Sequence, residues 1–88
     1  MAMIRYNGKR YHLAGFIKAK RKEWFERDLQ RGHNRAYAKK GWEDEGMVWA
    51  VQDYYGSMGE FSDADIKTIE KYFGQWADDI IDLCKGED

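Results

Sequence analysis

Ile4-Arg5-Tyr6-Asn7-Gly8-Lys9-Arg10-Tyr11 is the stretch that separates an α+β fold from an all-helical one. Asn7-Gly8 is the strongest two-residue hairpin signal, because a type I′ turn needs positive φ at both positions. That turn fixes the register. Tyr6 faces Lys9, Arg5 faces Arg10, Ile4 faces Tyr11 and Met3 faces His12. Side chains alternate across a strand, so Ala2, Ile4, Tyr6, Lys9, Tyr11 and Leu13 share one face, expected on the core. Met3, Arg5, Arg10 and His12 share the other, which is basic and solvated. A two-stranded hairpin is marginal alone in water, so the hairpin over 2–13 must pack on the rest of the chain.

The remainder reads as helix. Residues 16–31 contain good helix formers, no proline, and end at Gly32, a suitable residue just past a C-cap. The apolar pattern there is untidy. Ile17 and Trp24 lie on one side, Phe25 and Leu29 on the adjacent side, so either the buried stripe is wide or part of it is an interface. A short helical segment over 34–40 is expected to stop at Gly41. Residues 43–55 form a third helix, with Met47, Val48, Val51, Tyr54 and Tyr55 in one sector and Glu43, Asp44 and Glu45 in the first turn, where acids are favoured. A strand over 47–51 is the rival reading. Trp49 points away from the apolar sector. Gly56 to Gly59 reads as a loop. In the last helix, over 63–85, Ser62 is the N-cap and Asp65 completes a variant capping box. Ile66, Ile69, Tyr72, Phe73, Trp76, Ala77, Ile80, Leu83 and Cys84 keep one apolar face, with phase continuing through Gly74. Trp76 is therefore expected in the core. The fold class is α+β, mainly helical: one small domain over 1–88, an N-terminal hairpin packed on three to four helices.

The chain has 88 residues and a single cysteine, Cys84, so no disulfide staples the core. Aromatics, 16% of the chain with four tryptophans and six tyrosines, supply the bulk instead. One cysteine and no signal-like stretch point to a reducing, cytoplasmic setting. The longest apolar run, Met47 to Val51, is far short of the roughly 20 residues that span a bilayer.

Charge is strongly segregated. Residues 1–41 hold 12 Lys+Arg against 3 Asp+Glu, and residues 42–88 hold 3 against 13, so the overall net of −1 conceals two opposite halves. Such asymmetry implies charged partners, or halves that neutralise each other in the fold. The basic set with binding potential is Arg5, Lys9 and Arg10 on the hairpin and Lys18, Arg21, Lys22, Arg27 and Arg31 on the first helix. Arg35, Lys39 and Lys40 lie near it. Arg5 opposite Arg10 is locally repulsive. The pair is either held ready for a phosphate or carboxylate, or splayed into water, where repulsion is screened. Interleaved aromatics would suit single-stranded nucleic acid. In the acidic half, helix-start acids serve caps and dipoles. Asp78, Asp79 and Asp82 share a solvent face and form the candidate acidic contact patch, diluted by Lys67, Lys71 and Lys85. Glu87 and Asp88 extend the acidic set. Trp24 and Trp49 are the candidate aromatic anchors, since Trp, Tyr and Arg carry most interface energy.

No catalytic residue, cofactor or metal is assigned. His12 and His33 are isolated, and Cys84 has no partner at zinc-ligand spacing. A nucleophilic Cys84 would have to leave an apolar helical face, so it reads as a buried thiol. The glycines at 56 and 59 lack a P-loop's Lys-Ser/Thr. The acidic polar face of the last helix argues against an anionic membrane. In style the chain is similar to small accessory proteins of phages and mobile elements: short, aromatic-rich, charge-polarised and without a catalytic signature. That likeness transfers no site. The expected function is a non-enzymatic interaction protein that binds a charged surface of a larger protein or nucleoprotein machine and inhibits or redirects it. The alternative is a nucleic-acid-binding module using the basic half. Self-association stays open.

Overall fold

The computed structural model describes residues 3–86, so Ala2, Glu87 and Asp88 of the sequence reading lie outside the described residues. The fold is α+β and mainly helical. Strands β1 (Ile4–Tyr6) and β2 (Lys9–Tyr11) form an antiparallel hairpin. Ile4 pairs with Tyr11, Arg5 with Arg10 and Tyr6 with Lys9, the register set by the turn. Asn7 (φ 52°) and Gly8 (φ 78°) both take the left-handed conformation that a type I′ turn demands. The ladder is shorter than the 2–13 expected. His12 is already the N-cap residue of helix α1 (Leu13–Gln30), which starts three residues earlier than composition suggests and takes Gly15 into its first turn.

The hairpin lies on α1. Tyr6 meets Phe16 edge-on at 5.4 Å, and Phe16 packs against Tyr54 at 6.1 Å. Glu23 ties down the hairpin tip: the Tyr6 hydroxyl donates to its Oε1, and Asn7 Nδ2 donates to its Oε2 at 3.0 Å. α1 ends as its sequence predicts. Gly32 (φ 89°) donates to Leu29 O, and His33 N donates to Asp28 O, a Schellman closure.

Helix α2 (Arg35–Gly41) is capped by the Asn34 side chain, which accepts from Tyr37 N at 2.9 Å. Gly41 does not stop it. The chain runs on through one π-helical turn (Trp42–Gly46) directly into α3 (Met47–Met58). The helical reading of 47–51 holds over the strand reading. The expected loop at 56–59 is helix until Gly59 (φ 78°) closes it. Trp24 of α1 accounts for the glycines at 41 and 46. A Cβ on Gly41 would lie 3.1 Å from Trp24 Cζ2. On Gly46 it would lie 2.6 Å from Trp42 Cε3 and 2.9 Å from Trp24 Cε3. The two glycines let an indole rest on the backbone.

Helix α4 (Asp63–Phe73) opens with the expected capping box between Ser62 and Asp65. Asp65 is buried, and its Oδ2 also accepts from the Tyr54 hydroxyl at 3.1 Å, joining α4 to α3. The single helix expected over 63–85 is broken. Gly74 takes φ 57°, ψ −124°, followed by a 3₁₀ turn (Gly74–Trp76) and helix α5 (Ala77–Cys84). The break shifts the apolar face only in part: Ala77, Ile80 and Cys84 still pack on the core. Trp76, expected in the core, is 59% exposed, and Leu83 is exposed too. Leu13, Phe16, Ile17, Val51, Tyr54 and Ile69 form the fully buried centre. Among the described residues, no helix is long and apolar enough to cross a membrane.

Candidate interaction surface

Trp24, Trp42 and Trp49 form a cluster. Trp24 stands at its centre, with ring centroids 6.0 Å from each of the others in edge-on geometry. Its Nε1 donates to Ala38 O at 3.0 Å, which satisfies the indole's one polar group and fixes the ring against α2. Trp42 is buried. Trp49 is 52% exposed, as its helical phase predicts. Arg27 lies over the Trp24 ring, its Cζ 4.7 Å from the centroid.

An open groove of about 410 Å³ lies beside this cluster. α1 contributes Trp24, Arg27, Asp28 and Arg31, and α3 contributes Trp49. Tyr37 and Lys40 of α2, and Asp44 and Glu45 of the π turn, close the far side. The charges balance, three cations against three acids, and Lys40 is paired with Asp44 at 3.0 Å. Tyr37 is exposed and held by stacking on His33 at 3.9 Å. A second hollow of about 230 Å³ shares Trp24, Arg27 and Trp49. Lys20 and Asp53 lie there, 3.9 Å apart.

The structure divides the basic residues that the sequence groups together. Arg27 and Arg31 join the tryptophan groove. Lys18, Arg21 and Lys22 line a separate concavity with Phe25 and Arg35. Arg5, Lys9 and Arg10 stand exposed on the hairpin, and Arg5 opposes Arg10 as the register requires. Pairing between the opposite halves is sparse among the described residues. Among the described residues the ion pairs are Lys20–Asp53 and Lys40–Asp44, both solvent-accessible.

Asp78, Asp79 and Asp82 are exposed on α5. Because α5 starts afresh at Ala77, Asp78 and Asp79 fall in a helical first turn. The helix dipole favours their charge there, whereas Asp82 lies in the second turn, outside its reach. Cys84 is half-buried, and burial pushes its thiol pKa up, which disfavours the nucleophilic thiolate. Among the described residues, no group of three or more His, Cys, Asp or Glu is placed to hold a metal ion.

Tyr37, Lys40, Asp44 and Glu45 escaped sequence reasoning as groove residues. The signal was Gly41 and Gly46, five apart within a helical run and flanking Trp42. Read as a seat for a ring, they would have pointed to this groove. Compared with known proteins, the chain matches no family model, no curated protein and no solved structure.

Proposed function

We propose that this protein is a small non-enzymatic interaction module. It docks on a charged surface of a larger protein or nucleoprotein assembly and blocks or redirects it, in a reducing cytoplasmic setting. One observation carries this reading: Trp49 stands half-exposed against Trp24 at the lip of a groove that also presents Arg27, Arg31 and Tyr37. Tryptophan, tyrosine and arginine are the residue types that dominate interface energy, above all where they surround a concavity. The indole wall is rigid, so little side-chain freedom is lost on binding. The balanced charge of the rim fits a partner surface carrying both signs, which sets orientation and suppresses wrong partners.

The test pairs wild type with Trp49→Ala. A partner captured by wild type is identified, purified and titrated against both proteins by calorimetry. Loss of the anchor is expected to cost about 2 kcal/mol or more, roughly 30-fold in Kd. A partner that binds Trp49→Ala as tightly as wild type rules out the groove as the docking site. Catalytic turnover of that partner would overturn the non-enzymatic reading.

A further inference from the structure

Away from the tryptophan groove, α1 and the start of α2 border a separate open concavity of about 240 Å³. Its charge is of a different kind. Lys18, Arg21, Lys22 and Arg35 line it against a single acid, Glu26. Lys18, Arg21 and Lys22 are spaced i, i+3, i+4, so they share one face of α1. Arg35 reaches the same place from the first residue of α2. Among the described residues, none of the four enters an ion pair.

Two of these cations are held in place without using up their donors. The Arg21 and Arg35 guanidinium carbons lie 4.4 and 5.4 Å from the centroid of the Phe25 ring. Stacking on an aromatic fixes a planar guanidinium while leaving its N–H fork free for a bidentate oxyanion. Like charges so close repel one another, and a polyanion relieves that repulsion.

We propose that this concavity is a sequence-independent binding site for the phosphate backbone of a nucleic acid. An acidic protein segment offers the same charge, but the local surroundings favour phosphate. Phe25 is buried beneath the arginines, and of the lining residues Leu29 alone is a large apolar side chain exposed at the rim. Protein partners draw affinity from exposed aromatic anchors in desolvated pockets, which the tryptophan groove has and this concavity lacks. Backbone binding to nucleic acid needs only converging cations and released counterions. This site is independent of the tryptophan groove.

The experiment is fluorescence anisotropy of labelled single- and double-stranded DNA and single-stranded RNA of mixed sequence, with labelled polyglutamate in parallel. Binding to several sequences alike is expected. With four phosphates neutralised, affinity should fall roughly 100-fold between about 50 and 200 mM salt. Arg21→Ala with Arg35→Ala, and separately Lys18→Ala with Lys22→Ala, should each weaken binding and make the salt slope shallower by about two contacts' worth. The lysine pair guards against any loss of packing on Phe25. Trp49→Ala, and Arg5→Ala with Arg10→Ala, should bind like wild type. No binding of any nucleic acid at low salt overturns the proposal. So does polyglutamate binding as tightly as the nucleic acids, which would make the site one for acidic protein. Binding that survives both pairs of concavity substitutions but is lost with Arg5 and Arg10 would move the site to the hairpin.

Discussion

At the scale of single residues, Gly46 and Trp76 have opposite roles from those their types suggest. Gly46 looks like helix-interior ballast, yet any Cβ there meets both Trp42 and Trp24 below 3.0 Å. Gly46→Ala, nominally a helix-favouring change, should destabilise by about 1–3 kcal/mol through overpacking. Urea unfolding measures this, and a stabilised Gly46→Ala would mean the indole can move aside freely. Trp76 looks like core, yet stands in solvent. Trp76→Ala should change stability, measured the same way, by less than about 0.5 kcal/mol, against the roughly 3–5 kcal/mol of a buried ring. Two tyrosines link stability to pH. The hydrogen bond to Glu23 and partial burial push Tyr6 from 10.0 up to about 12, while burial beside Asp65 pushes Tyr54 up to about 12. A raised folded-state pKa means the native protein holds these protons more tightly than the unfolded chain does. Their contribution is complete below pH 10 and disappears as pH rises through 12. Unfolding followed across that window should show stability falling with pH, and the slope should shrink in Tyr54→Phe. An unchanged slope would remove Tyr54 from the linkage.

At the scale of elements, turn and cap chemistry reads directly from sequence. Asn7-Gly8, Gly32 and Ser62-Asp65 all perform the local roles their types imply, because each satisfies its backbone groups within a few residues. Continuity between elements does not read so well. Gly41 seemed a stop and is crossed; Gly74 seemed crossed and is a break. Local propensity charges both glycines alike, about 1 kcal/mol against alanine. What differs is the neighbour: Trp24 fills the space over Gly41, whereas nothing lies within 4 Å of a Cβ on Gly74. Gly74→Ala separates the two accounts. In one continuous helix alanine would stabilise by about 1 kcal/mol. With φ at 57° and ψ at −124°, alanine should instead destabilise by more than about 1 kcal/mol, or force the helix straight and change the helical circular dichroism. A more stable variant with an unchanged spectrum contradicts the broken helix.

At the scale of the whole molecule, charge segregation remains on the surface. The opposite halves meet in two accessible ion pairs among the described residues, and exposed pairs contribute little. The dominant electrostatic effect within each half is then self-repulsion, which salt screens as the Debye length falls from about 10 Å at 0.1 M to about 3 Å at 1 M. The thermal midpoint should hold or rise over that range of sodium chloride. A clear fall would mean that attraction between the halves supports the fold. The same segregation makes the whole basic half look like one candidate site in sequence. Folding sends Arg27 and Arg31 to the tryptophan groove, Lys18, Arg21 and Lys22 to the other flank of α1, and Arg5 and Arg10 to the hairpin.

Legible in the sequence are the hairpin and its register, the Gly32 stop, the Ser62–Asp65 capping box, the helical character of residues 16–30 and the exposure of Trp49, whereas helix and strand compete there over 47–51. All of these depend on interactions a few residues apart. The folded chain alone reveals that Trp24 seats on Gly41 and Gly46, that Gly74 breaks the last helix and exposes Trp76, and that Arg35 joins Arg21 over Phe25. Each of those depends on which distant side chain occupies a given volume, and helical periodicity carries no information about a neighbour on another element.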